Sequence, residues 1–232
     1  MLTMTGAAAI AVAACATSTI HSEIGLATSS SSEPSACAAF GGTIDVQQVC
    51  KVHTATTTYT IDFTFPVDYP DQPALVGLLT HQRDQFVDAV GEQPARDLPF
   101  ALDVTGTQYR STSGTESLVF KEYVNTGGAH PETTYEALNY DVSKRAPITF
   151  DTLFTPGANA VAVLDPIVQG ELSKRLQGLT VGPNRIGAEM YRSFAITDDA
   201  VTFFIGQGMW AIEAAGPQEV SVPRSELASI LR

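Results

Sequence analysis

Between Thr58 and Phe65 apolar and polar residues alternate without a break, with Tyr59, Ile61, Phe63 and Phe65 on one side and Thr58, Thr60, Asp62 and Thr64 on the other. A period of two is that of a strand with one face on a core and one in water. The period then changes. Asp71 stands as an N-cap, Pro73 sits in a first helical turn, and Leu75, Val76, Leu79, Phe86, Val87 and Val90 recur at helical spacing. Gln82, Asp84, Gln85 and Asp88 are assigned to the outer face, and Gly91 ends the helix. A strand beside a long amphipathic helix requires a layered domain in which the helix covers a sheet.

The rest of the chain extends this pattern. Phe100, Leu102 and Val104 open another strand, and Leu118 to Asn125 with Thr133 to Val142 reads as a hairpin around Gly127-Gly128. A second helix is expected from Ala160 to about Leu176, with Val161, Leu164, Ile167, Val168, Leu172 and Leu176 as its stripe. Phe194 to Thr197 and Val201 to Ile205 form a further hairpin across Asp198-Asp199. Val220 and Val222 give a last strand, and Pro223 opens a short closing helix. Strands mixed with two main helices, without regular β-α-β alternation, predict an α+β single domain with a largely antiparallel mixed sheet.

The front of the chain has a different character. Residues 1–14 carry no charge and centre on Gly6-Ala7-Ala8-Ala9-Ile10-Ala11-Val12-Ala13-Ala14, too short to span a bilayer and typical of an export signal. Such a signal ordinarily opens on Lys or Arg, and Met1-Leu2-Thr3 has neither, so its basic opening is expected upstream of Met1 or to have been trimmed. Val12-Ala13-Ala14-Cys15 has the pattern cleaved by lipoprotein signal peptidase, with Cys15 as the lipidated residue; ordinary cleavage with Cys15 incidental is the other reading. Residues 15–36 are a Ser-rich tether, including Ser29-Ser30-Ser31-Ser32, that cannot bury a core. The folded domain is expected over 37–232.

Cys37 and Cys50 remain as a pair in an exported chain, where a disulfide persists. Gly41-Gly42 lies inside the loop and permits a tight reversal. Metal binding is the weaker reading, because no His or Cys partner stands at zinc-ligand spacing. The net charge of −12, from 25 acidic and 13 basic residues, disfavours nucleic acid and anionic lipid surfaces as partners.

The ordered segments resemble the family of secreted mycobacterial immunogenic proteins. The likeness is carried by Tyr69-Pro70-Asp71-Gln72, Arg83-Asp84-Gln85-Phe86, Gly127-Gly128-Ala129-His130-Pro131 and Thr133-Thr134-Tyr135. It continues through Pro147-Ile148-Thr149-Phe150-Asp151-Thr152-Leu153, the run from Pro166 to Lys174, Ala214-Ala215-Gly216-Pro217 and Val222-Pro223-Arg224-Ser225. That family is similar to the outer domain of RsiV-type anti-sigma factors. The resemblance implies a β-grasp-like α+β fold outside the cell, and an esterase activity suggested for the mycobacterial branch. The lipobox and tether depart from the secreted members, and the chain lacks the transmembrane helix of an anti-sigma factor, which argues against a direct sigma-factor role.

Of the four histidines, His21 lies in the tether and His53 and His81 stand among polar neighbours. His130 follows two glycines that allow positive φ or close approach, and Pro131 holds it extended. Gly127, Gly128 and His130, with Tyr123 and Tyr135 nearby, are therefore the candidate ligand-binding residues; the alternative is a structural turn in which the imidazole bonds a neighbouring carbonyl. No Gly-x-Ser-x-Gly and no Ser-x-x-Lys occurs, so no catalytic residue is assigned, although a triad of His130, Asp141 or Asp151 and a distant serine is a matter of space and not of sequence. No cofactor is implied. The expectation is a monomeric, lipid-anchored surface module binding a protein or glycan ligand outside the cell, with a cell-wall esterase as the alternative. Replacing Cys15 by Ala is expected to release the protein from the membrane fraction or to block its processing, read by cell fractionation and immunoblotting; unchanged partitioning leaves ordinary secretion.

Overall fold

A computed structural model of the chain describes residues 35–94, 97–183 and 187–232. The export signal, Cys15 and the tether up to residue 34 lie outside the described residues. Ala36, assigned to the tether by the sequence, is instead fully buried, and its amide donates to Gln72 Oε1 at 2.8 Å. It opens α1 (Ala36–Ala39), capped by Ser35. Then follow β1 (Thr43–Ile44), β2 (Val49–Ala55), β3 (Tyr59–Pro66), α2 (Gln72–Val90), β4 (Phe100–Arg110), β5 (Thr115–Asn125), β6 (Glu132–Asp141) and β7 (Ala146–Pro147). These strands form one seven-stranded sheet in sequential order. Every neighbouring pair is antiparallel except β3 and β4, which run parallel, with Ile61 opposite Leu102 and Phe63 opposite Val104. The parallel pair follows from α2, which carries the chain back between two strands that point the same way.

The second half has its own centre. Short α3 (Phe150–Leu153) and long α4 (Ala160–Arg175) precede β8 (Phe194–Ile196), β9 (Ala200–Ile205) and β10 (Gln218–Pro223), which form a separate three-stranded antiparallel sheet, closed by α5 (Arg224–Leu227). The sequence distinguishes these strands but not their separation into a second sheet. The whole is an α+β domain with a large, mostly antiparallel sheet and few helices, as the sequence predicts.

Alternation sorts the large sheet into two faces. Ile61, Phe63, Phe65, Leu102, Val104, Leu118 and Phe120 face α2, meeting its buried Leu75, Leu79, Phe86 and Val90. A second core gathers Leu164, Val168 and Leu172 of α4 with Phe203, Val220, Val222, Tyr191 and Trp210. The α2 cap is Asp71, which accepts from the Ala74 amide at 3.1 Å. At its far end the Gly91 amide donates to the Val87 carbonyl at 2.7 Å, and a Cβ on Gly91 would crowd that same oxygen at 2.8 Å. Gln82 corrects the sequence assignment of the outer face: it is 4% exposed. Its Nε2 donates to Glu122 Oε2 at 3.2 Å. The helical period places residue 82 on the stripe of Leu75, Leu79 and Phe86, and its amide meets a carboxylate on the sheet in place of water.

Cys37 and Cys50 are bonded, with Cα atoms 5.6 Å apart. The two glycines between them have different tasks. Gly41 turns the chain at φ +66°, whereas a Cβ on Gly42 would lie 2.6 Å from Cys50 Sγ and 2.9 Å from Cys37 Sγ. The bridge is buried in the α2-side core. Reduction, or paired replacement by Ala, is expected to lower unfolding stability by about 3 kcal/mol in denaturant titrations, and Gly42→Ala alone to destabilise the oxidised protein more than the reduced one.

Candidate functional site

The hairpin of β5 and β6 builds the loop singled out by the sequence. Its strands pair from Thr115 with Asp141 to Val124 with Glu132, which leaves residues 126–131 as the connection. Gly127 has φ +84°, and its amide donates to Asn125 Oδ1 at 3.0 Å, so the first glycine is a conformational requirement. Gly128 corrects the reading: it is outside the set of positive-φ residues, and a side chain there would meet nothing nearer than the His130 carbonyl oxygen at 3.9 Å. His130 is exposed, and its Nε2 lies 2.8 Å from Glu213 Oε2 on the loop between β9 and β10. The imidazole thus meets a carboxylate from a distant segment, not a neighbouring carbonyl. The backbone reinforces this junction, as the Gln207 amide donates to the Thr133 carbonyl at 2.8 Å.

Tyr123 and Tyr135 lie on the sheet face opposite α2, opposite Thr133 and Lys121 respectively. Tyr135 is tied to the second sheet: its ring packs on Phe204 at 5.4 Å, and its hydroxyl donates to Glu219 Oε1 at 3.2 Å. Burial and the Glu219 carboxylate hold that phenol well above its ordinary range. Tyr123 is half-buried. Among the described residues neither tyrosine makes a hydrogen bond or ring contact with His130. The structure therefore gathers these residues on one end of the hairpin without welding them into one network.

His53 also meets a carboxylate. His53 Nδ1 is 2.6 Å from Asp62 Oδ1 across the β2–β3 pair. His81 is close enough to Glu136 to act on its ionisation. Among the described residues no serine hydroxyl hydrogen-bonds a histidine ring. Ser193 Oγ donates to the Tyr135 carbonyl at 2.6 Å, and Ser117 Oγ accepts from the Ile196 amide at 3.0 Å. Asp141, considered for a triad, is taken by Lys144 and Ser143, which hold its carboxyl far below the usual range. No group of three or more metal-ligating side chains is assembled among the described residues.

A pair of acidic residues escaped the sequence reading. Glu122 continues the inward register of Leu118 and Phe120, and Glu136 stands opposite Phe120 on β6, both towards α2. Burial raises the Glu122 carboxyl above its ordinary 4.5, aided by the Glu136 charge, against the opposing hydrogen bonds from Thr134 and Gln82. Glu136 is exposed at its surface, and partial desolvation by the sheet raises its carboxyl against the opposing influence of His81 and Arg192. The signal was present as a charged residue in the inward phase of an alternating strand, with Gln82 in the inward phase of the facing helix.

The resemblance to the mycobacterial immunogenic proteins is borne out by comparison with known proteins. Esterase Rv3036c of Mycobacterium tuberculosis is 42% identical over 199 residues, covering 84% of this chain and 88% of that one. Immunogenic protein MPT64 of the same organism is 40% identical over 200 residues, covering 84% and 87%. The family described as Protein of unknown function (DUF3298) matches residues 151–225. A crystal structure of a DUF3298 family protein from Pseudomonas aeruginosa superposes with a TM-score of 0.55 at 14% identity, covering 79% of this chain and 92% of that one, a likeness of fold.

The raised Glu122 carboxyl has a stability consequence. An acid whose folded-state pKa exceeds its unfolded value holds its proton more tightly when folded, so its contribution is lost as pH climbs from the ordinary carboxyl range through the raised value. Glu122→Gln is therefore expected to melt at a higher temperature than the native chain near pH 7, with a difference that shrinks towards about pH 4, in thermal melts followed by circular dichroism. A difference that grows on acidification would refute the assignment.

Proposed function

The chain belongs to the family of the mycobacterial immunogenic proteins, and from that premise we propose that it is an exported, non-catalytic binding module. In this reading it is anchored at the cell surface by lipid on Cys15 and takes a protein or glycan ligand at the end of the β5–β6 hairpin. The supporting observation is that His53 and His130 pair with carboxylates, and that among the described residues no serine hydroxyl hydrogen-bonds a histidine ring. The His130–Glu213 pair suits recognition, because an exposed side-chain pair contributes little to stability and its groups stay open to exchange with a ligand's own donors and acceptors. Kinship with the outer domain of RsiV-type anti-sigma factors is part of the same proposal, and the α+β architecture is what supports it.

The name of one relative keeps a second reading, that of a surface esterase. Such chemistry needs a base within hydrogen-bond reach of an activated hydroxyl. A fluorophosphonate probe separates the two: the purified protein is expected to remain unlabelled, and labelling of a single serine transfers the chain to the esterase reading. His130→Ala is expected to shift the melting temperature by no more than about 4 °C. The same substitution is expected to weaken sedimentation with isolated cell-envelope fragments by roughly tenfold, the loss of one charge-assisted hydrogen bond. Unfolding of this variant would make the loop structural and remove it as a binding site.

A further inference from the structure

A cleft of about 500 Å³ opens at the other end of the hairpin, remote in sequence from the His130 loop and bounded by the β6–β7 turn, α3, the end of β8 and the start of α5. Its lining combines two chemistries. Ile148, Leu153, Ile196 and Leu231 present apolar surface continuous with the α4-side core. Three cations, Lys144, Arg224 and Arg232, stand around it, although the chain has only 13 basic residues against 25 acidic ones.

The cations differ in how they are neutralised. Lys144 Nζ is paired with Asp141 Oδ2 at 2.7 Å. Arg224 and Arg232 form no ion pair among the described residues. Arg232 is exposed, but Arg224 is half-buried, and its guanidinium has one weak contact, Nη1 to the Thr197 carbonyl at 3.4 Å. The hydroxyl of Thr115, also in the lining, makes no hydrogen bond among the described residues. A partly desolvated guanidinium ordinarily has a carboxylate or phosphate to match its fork of donors. Here the acidic protein leaves that position open and places an apolar wall beside it.

We propose that this cleft binds a small amphiphilic carboxylate, a free fatty-acid anion of medium chain length. The carboxylate pairs with Arg224, with Thr115 and Arg232 as further donors, and the hydrocarbon chain lies along Ile148, Leu153, Ile196 and Leu231. The proposal does not depend on the binding reading at His130, because the two sites share no residue. An acidic surface makes such a site selective in its own way: long-range repulsion disfavours polyanions, and only a ligand whose apolar part contributes binding energy can enter.

The test is calorimetric titration of the full purified chain with decanoate, methyl decanoate and acetate, repeated on Arg224→Gln and Thr115→Val. Decanoate is expected to bind, with methyl decanoate and acetate each at least about tenfold weaker, since one lacks the charge and the other the chain. Arg224→Gln is expected to weaken decanoate by about tenfold or more, and Thr115→Val by a few-fold. Retained cooperative melting of both variants excludes loss of fold as the cause; if Arg224→Gln fails to fold, Thr115→Val and the salt dependence of decanoate binding decide. Equal binding of decanoate and methyl decanoate, or binding untouched by both substitutions, overturns the proposal. Decyl phosphate binding more tightly than decanoate overturns the carboxylate assignment and assigns the site to a phosphate head. His130→Ala is expected to leave all these titrations unchanged, so a failure here and a failure at the hairpin loop are read separately.

Discussion

The packing of α2 across one face of the seven-stranded sheet is the contact on which the rest of the molecule depends. It forces β3 and β4 to run parallel, because the helix itself carries the chain back. It also commits alternate side chains of β3, β4 and β5 to a dry interface, from Ile61, Phe63 and Phe65 through Leu102 and Val104 to Leu118 and Phe120, and so fixes the register of these strands. Once that face is covered, the opposite face is free at one end for the second sheet, where Val119 meets Ala195 and Phe204. The covering helix thus determines which surfaces are left over for recognition.

Within this frame, polar groups mark the limits of the two dry layers. Ser117 and Asn139 stand opposite each other on β5 and β6 and tie the large sheet to β8, one accepting from the Ile196 amide and the other donating to the Phe194 carbonyl at 2.9 Å. Gln82 and Glu122 do the corresponding work beneath α2. Such pairs give the two layers a single relative position, which apolar contact alone specifies poorly.

What was legible in the sequence is what depends on neighbours along the chain. Alternation from Tyr59 to Phe65, the Asp71 cap, the stripe of α4 and the hairpin around Gly127 are local patterns, and each produced its element. β2 has little signal of its own, because its inward phase holds only Cys50 and Val52 before Thr54 turns polar, and its strand character comes from pairing with β3. At the candidate site, the Gly127 turn was readable from a dipeptide, but the partner of His130 lies 83 positions away, where nothing local marks Glu213. In the sequence Arg224 stands out only as part of a family motif and of the start of a helix. Its lack of a counter-charge is a statement about three-dimensional neighbours, which a linear pattern does not carry.

The Cys37–Cys50 bridge has a mechanical meaning as well as a thermodynamic one. The described chain enters the fold at Ser35 and is covalently fastened two residues later to β2, a strand paired on both sides. Tension applied from the N-terminal side therefore bypasses the rest of the four-residue α1 and the two-residue β1, and is delivered through sulfur to a strand held by two neighbours. Such a strand resists being drawn out until its hydrogen bonds fail together, so the domain can be held from its front end without being unpicked.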